Sequence, residues 1–333
     1  MLLDTDQKVE QFLHHSGWIP NGTSIRATPL LGGVSNHVWR IDTVEEVFVL
    51  KQPLEKLATE ADWRSGLGRL EREVACMRFL AEILPEGQVP KVVHHDPESH
   101  VVLMRAAPST AASWKGLLMG GHFDPKTADR AGKMLRTIHE ESRRRADEMR
   151  PSFDDVTFFD ELRIDPFHRY LQGQFPGLIP EIERLIEQLT TNRTCLTHGD
   201  YSPKNFLITD DGSLILLDFE VAHWGNPVFD LAYCIGHLML KGWALRKEPE
   251  AANLIARFLD AYGLETDPLI PHLGLMLLAR LDGKSTVDYV SDQMMKARIR
   301  SIAQTWIEWT FDAEPIPFIE AALGVDDVMG DMI

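Results

Sequence analysis

The sequence predicts an α+β fold in two lobes, a β-rich N-terminal lobe over residues 1–105 and a mainly helical C-terminal lobe over 106–333. Three observations carry this. Short runs of apolar residues that read as strands crowd the first third of the chain, and apolar residues at three- and four-residue steps dominate the rest. The charge also divides near residue 105. The whole chain has 34 Lys+Arg against 50 Asp+Glu, a net of −16. Residues 1–105 hold 11 basic and 15 acidic side chains, a net of −4, so the remaining 23 and 35 leave −12 on the rest.

The elements follow in order. Residues 4–15 form a short amphipathic helix. Ser24–Leu31 is an extended run, and Gly32-Gly33 after it marks backbone that something approaches closely. Asn36–Asp42 alternates polar and apolar residues and is a second strand; Glu46–Lys51 is a third. In residues 70–84, Leu70, Val74, Met77, Leu80 and Leu84 recur at helical spacing, and Pro85 and Gly87 end the helix. Val89–His94 and His100–Met104 are two further strands, and small polar residues at 107–110 form a linker. Asp124-Pro125 then opens a helix with an N-cap followed by proline at the first helical position. Pro180–Leu189, Glu250–Tyr262, Pro268–Leu281 and Thr286–Phe311 are further helices. Phe206–Ile208 and Leu214–Leu217, joined across Asp210-Asp211-Gly212, form a hairpin.

Several function classes drop out. An acidic chain repels a phosphate backbone, so nucleic acid is not an expected partner. No apolar run approaches the length of a membrane span, and the acidic N-terminus lacks the pattern of a secretion signal. Cys76, Cys195 and Cys234 are odd in number and far apart, which fits a reducing cytoplasm better than a disulfide framework or a zinc site. His14-His15 and His94-His95 are adjacent pairs, not ligand spacings. Gly283-Lys284-Ser285 is not a Walker A loop, because the glycine that motif needs at 278 is Leu278. Arg143-Arg144-Arg145 reads as a solvated helix end, and Arg280, Asp282 and Lys284 as a charged helix terminus.

The chemistry concentrates in residues 197–233, THGDYSPKNFLITDDGSLILLDFEVAHWGNPVFDLAY. A carboxylate emerging from an apolar strand, as Asp218 does, is costly unless it meets a cation. Asn205 and Asp218 can supply oxygen ligands to Mg²⁺, which favours such donors and shares them with phosphates. Asp200 is then free to accept a proton from an attacking hydroxyl. That division of labour suits phosphoryl transfer, which is mostly positioning and charge neutralisation. In the first lobe Lys51 ends a strand and can reach nucleotide phosphates. A carboxylate on the next helix would hold it; Glu71 and Glu73 are both candidates, and Glu73 is preferred. The turn at 32–36, with Gly33 and Ser35, offers backbone N–H groups to phosphates, and Met104 and Ala106 would line the adenine side.

These residues together resemble the aminoglycoside phosphotransferase family, relatives of choline and homoserine kinases within the protein-kinase-like fold. Three motifs carry the resemblance at family-like spacing. They are His198-Gly199-Asp200 to Asn205, Leu217-Asp218-Phe219-Glu220, and Gly225-Asn226-Pro227 with Asp230-Leu231-Ala232. It is motif-specific only over 197–233. It implies a small-molecule kinase that moves the γ-phosphoryl of ATP, or GTP, to a hydroxyl with Mg²⁺, the nucleotide lying in the cleft between lobes. Asp200 would be the base, Asn205 and Asp218 would bind metal, Lys51 would contact the α/β-phosphates, and Glu73 would pair with it. Asp230 would brace the catalytic loop, His198 would pack it, and Lys204 would neutralise the transferring group or lie in solvent. The acceptors expected are an aminoglycoside, an amino alcohol, a sugar or a related metabolite, with an amine-bearing one favoured by the acidity of 106–333. Methylthioribose kinases are set further away, because their catalytic loop differs from HGDYSPKN. The chain would be a monomer or homodimer. DFE in place of DFG, and the lack of activation-segment landmarks, argue against a protein kinase. A nucleotide-binding module without turnover is the other alternative.

Overall fold

The protein is described by a computed structural model over residues 1–30, 33–59, 63–310 and 314–325. It divides into two compact units. The first comprises residues 1–110 and 215–221, the second 111–214 and 222–333. A single cut at residue 105 would assign 215–221 to the helical part; by contact these seven residues group with the first unit.

The first unit is an antiparallel five-stranded sheet with helices α1 (Asp6–His15) and α2 (Arg69–Ile83). Its strands are β1 (Arg26–Pro29), β2 (Asn36–Asp42), β3 (Val47–Pro53), β4 (Val92–Asp96) and β5 (Val101–Arg105), in the order β1-β2-β3-β5-β4. Successive side chains of a strand point to opposite faces. On β3, Phe48 and Leu50 join a core with Trp39 and Ile41 of β2 and with Leu3, Val9 and Leu13 of the N-terminal segment. The Trp39 indole N–H donates to the Leu3 carbonyl at 2.9 Å. Lys51 therefore takes the other face, where Glu73 of α2 meets it. The helix ends as its sequence dictates: Leu84, before Pro85, is extended at φ −100° and ψ 152°.

The second unit is mainly helical. Small strands β6 (Ala112–Ser113), β7 (Cys195–Thr197), β8 (Phe206–Ile208), β9 (Leu214–Leu216) and β10 (His223–Gly225) frame the segment 197–225. β7 pairs with β10 and β6 with β8. The Asp210-Asp211-Gly212 turn leads into β9, along which the chain passes into the first unit. After α3 (Trp114–Met119), α4 (Pro125–Arg144) starts as its N-cap predicts, with the Asp124 carboxylate accepting from the Lys126 N–H. Next come α5 (Ala146–Phe153), α6 (Thr157–Phe159), a π-helical stretch Asp160–Arg169, α7 (Tyr170–Gln174) and α8 (Ile179–Thr191). The C-terminal helices are α9 (Val228–Leu245), α10 (Glu248–Tyr262), α11 (Leu269–Asp282), α12 (Gln293–Ile307) and α13 (Pro315–Leu323). Gly132 of α4 lets α10 approach closely: a Cβ there would stand 2.3 Å from the Phe258 carbonyl oxygen.

Two expectations are corrected, and a helix that no spacing announced, α9, is added. The helix expected over 286–311 begins only after Asp292, whose carboxylate caps it by accepting from the N–H groups of Met294 and Met295; Phe311 lies outside the described residues. Helix α9 carries no amphipathic signature, since every residue from Val228 to Trp243 is buried. Strand β5 starts at Val101, one residue later than expected, because His100 turns the chain at φ +49°.

Candidate active site

In the first unit five charged side chains share one buried cluster. Lys51 Nζ lies 2.7 Å from a carboxylate oxygen of Glu73 and 2.7 Å from Asp218. Arg69 Nε donates to Glu220 at 3.1 Å, and its Nη2 donates to the carbonyls of Ser35 and Leu54. The Asn36 amide donates to Glu220 at 3.0 Å and to the Ser35 hydroxyl at 2.8 Å. The glycine-rich turn is thus tied to the DFE segment through Arg69. Glu71 points elsewhere: its carboxylate lies 3.0 Å from His100 Nδ1 and 3.8 Å from His95 Nε2. Asp218 sits at φ +69°, a left-handed conformation uncommon for a residue with a side chain.

This cluster carries three carboxylates against two cations. Burial alone would lower the Lys51 pKa, but Asp218, Glu73 and Glu220 outweigh it and hold the ammonium charged. Burial raises the Glu73 carboxyl to about 7; Lys51 opposes this, and Asp218 and Glu220 add to it. Oxygens of Glu73, Asp218 and Glu220 lie within 4.8 Å of one another. Crowded hard oxygen donors with an excess negative charge fit a divalent cation.

The other expected nucleotide residues are less committed. Gly32 lies outside the described residues. A Cβ at Gly33 would meet nothing within 4 Å, so the space above that turn is open. Met104 is buried in β5 opposite Val49 of β3. The Ala106 N–H donates to the Val47 carbonyl at 3.0 Å, which leaves its carbonyl, not its N–H, to contact a base.

In the second unit the HGD segment forms the loop after β7. Gly199 takes φ +73°, which only glycine adopts without strain. Asp230, at the start of α9, accepts the backbone N–H groups of His198 at 2.7 Å and Gly199 at 2.9 Å. His139 of α4 reaches the same carboxylate at 3.3 Å and the Tyr262 hydroxyl at 2.9 Å. The His198 ring accepts the Asp200 N–H at 3.1 Å. The Asn205 amide nitrogen donates to the Asp200 carbonyl at 2.9 Å, leaving Oδ1 as the atom for a ligand.

Asp200 is almost wholly buried. Its Oδ2 is clamped by Lys204 at 2.8 Å and Arg163 at 3.1 Å. Its Oδ1 is buried with no hydrogen-bond partner among the described residues. Burial pushes its pKa up, but Lys204 and Arg163 more than reverse this and keep it ionised far below the usual carboxylate range. Arg163 also donates to the Gly199 carbonyl at 2.7 Å. Sequence reasoning missed it, because it lies on the π-helical stretch, whose geometry no motif announces. It missed Arg69 and the role of Glu220 too; a fully buried arginine at a helix start was the only signal.

This is the fold of small-molecule phosphotransferases, and the chain belongs to the phosphotransferase enzyme family, which matches residues 26–272. It is 23% identical over 268 residues to a methylthioribose kinase of Enterobacter sp. (strain 638), covering 71% of this chain and 65% of that protein. It is 24% identical over 263 residues to that of Pectobacterium atrosepticum, with the same coverage. The chain thus spans just under two thirds of the length of these curated relatives. Both are of the class that the HGDYSPKN loop had set further away. Among solved structures, a spectinomycin phosphotransferase complexed with ADP and spectinomycin matches with a TM-score of 0.52 at 16% identity, over 96% of this chain and 99% of that one. A choline kinase from Cryptosporidium parvum matches with a TM-score of 0.51 at 12% identity, over 96% and 94%. No described helix is long and apolar enough to cross a membrane.

Proposed function

We propose that the protein is a phosphotransferase that moves the γ-phosphoryl group of ATP, or of GTP in its place, to a hydroxyl of a small molecule. The observation that carries this is Asp200, ionised, clamped through Oδ2 and unpartnered at Oδ1. An acceptor hydroxyl would donate to Oδ1 and give up its proton there as the new O–P bond forms. So acidic a carboxylate is a weak base, so its main contribution is to orient the nucleophile, the proton passing late. Lys204 and Arg163 are then placed to neutralise the transferring group.

In this reading Lys51, held by Glu73, binds the α/β-phosphates, and the open turn at Gly33 and Ser35 lets phosphates approach the backbone. Asp218 and Asn205 would hold Mg²⁺, which supplies charge neutralisation on the phosphates. Met104 and Ala106 would flank the base. Asp230 and His198 act on the loop rather than on the substrate. In this reading the enzyme works in the cytoplasm, in keeping with three buried cysteines that form no disulfide among the described residues.

A coupled ADP-release assay tests the reading. Asp200→Asn should lose at least about a thousandfold in turnover while ADP binding by calorimetry stays within a few-fold. Turnover at the wild-type rate in that variant would reject it.

A further inference from the structure

One face of α9 carries Asp230, Tyr233, His237 and Lys241 at helical steps, running from the catalytic loop into the second unit. Lys241 is 1% exposed. Its ammonium donates to the His237 carbonyl at 3.3 Å and the Tyr289 hydroxyl at 3.2 Å, and no carboxylate among the described residues lies within ion-pair distance. The Tyr289 hydroxyl also meets the His237 ring nitrogen Nδ1 at 3.1 Å. The other ring nitrogen of His237 is buried without a partner.

Arg280 of α11 repeats the pattern. It donates to the Ser285 carbonyl, its Nε is buried without a partner, and no described carboxylate pairs with it. Its guanidinium lies 5.1 Å from the Phe167 ring, and that of Arg163 lies 5.5 Å from the same ring and 5.7 Å from Tyr233. The Tyr233 ring is 5.1 Å from His237. A continuous chain of contacts therefore joins Asp200, through Arg163, Phe167 and Tyr233, to Arg280, His237 and Lys241.

This neighbourhood has five cations, Arg163, Lys204, Arg280, Lys241 and Lys115, against two carboxylates, Asp200, already clamped by two of them, and the exposed Asp288. A buried cation without a counterion costs several kcal/mol. Burial, then Lys115 and Arg280, press the Lys241 amine down to about 7 against the pull of Cys234 and Asp288.

We infer that the acceptor of the proposed reaction is an anion, a hydroxylated compound whose carboxylate or phosphate ester is taken by Lys241 and Arg280 while its hydroxyl lies at Asp200. The inference rests on the phosphotransferase reading and deepens it. It also replaces the amine-bearing acceptor suggested by the overall acidity: the −12 of residues 106–333 is not concentrated beside Asp200, where cations prevail.

The test is calorimetric titration of the full chain, with ADP and Mg²⁺ present, by glycerate, glycerol 3-phosphate, glycerol and ethanolamine. One or both anions should bind at least tenfold more tightly than glycerol or ethanolamine. Tighter binding of glycerate assigns a carboxylate acceptor, and of glycerol 3-phosphate a phosphate ester. Lys241→Met and Arg280→Met should each weaken that binding at least tenfold and leave ADP affinity within twofold. Lys241→Met should also raise the melting temperature, whereas a structural lysine would lower it. Preference for ethanolamine, equal anion binding by both variants, or no binding of either anion would overturn the inference. Anion binding without transfer from ATP would reject the phosphotransferase reading and leave the anion site standing. Transfer to ethanolamine but to neither anion would do the reverse.

Discussion

The charge clusters of the two units are opposite in kind. In the first, Glu73, Asp218 and Glu220 outnumber Lys51 and Arg69. In the second, Arg163, Lys204, Arg280, Lys241 and Lys115 outnumber Asp200 and the exposed Asp288. Each cluster holds a charge that its own residues leave unbalanced. The difference teaches that net charge, here −16, says little about a site. It underlies the two proposals made above: a cation for the carboxylates of the first cluster, and an anionic acceptor for the cations of the second.

Removing one cation from each cluster should therefore have opposite consequences. Lys51→Met leaves three buried carboxylates with Arg69 alone, so it should lower stability by roughly 3–5 kcal/mol and cut turnover by about a hundredfold or more. Thermal unfolding and ADP release read both. Lys241→Met removes a charge with no counterion and should stabilise the fold. A loss of stability in both variants would break the comparison.

Metal binding sharpens it next. Mg²⁺ at a hundred times its Kd should stabilise the wild type by about 2.7 kcal/mol, measurable as a rise in melting temperature that EDTA reverses. Asp218→Asn should lose most of that rise, and Lys241→Met should keep it.

The pH dependence follows from Lys241. Its amine titrates near 7 in the fold against 10.5 when free, so between these values the unfolded chain binds more protons. Stability contributed by this group therefore rises with pH across that window and is lowest below it, by about 1.4 kcal/mol per pH unit at most. The difference between wild type and Lys241→Met, followed by urea unfolding from pH 7 to 10, should show this slope. A flat difference contradicts it. The smallest effect belongs to Glu71→Gln, whose half-exposed contact with His100 should matter by about 0.5 kcal/mol; Glu73→Gln should cost turnover.

How much of this was legible in the sequence depended on how residues do their work. Asp200, Asn205 and Asp218 stand at fixed spacings in loops and short turns, and Asp230 follows at a fixed spacing in the first turn of α9. Lys51 and Glu73 were legible because strand alternation and helical spacing place them, although Glu71 competed until the helix phase was seen. Arg163 was not, since it acts from a π-helical stretch whose register cannot be read from spacing. Lys241 and His237 were hidden inside α9, an element buried on every side and so without a periodic signal. Arg280 was legible as an odd charge but read as a solvated terminus; only its burial shows otherwise.

The most direct measurement is phosphorus NMR of the full chain with Mg²⁺, ATP and the hydroxyl acceptors named above. The account predicts that the γ-phosphate signal gives way to a phosphate ester of an acceptor and that Asp200→Asn forms none. Release of inorganic phosphate alone, or ester formed by Asp200→Asn at the wild-type rate, would contradict it.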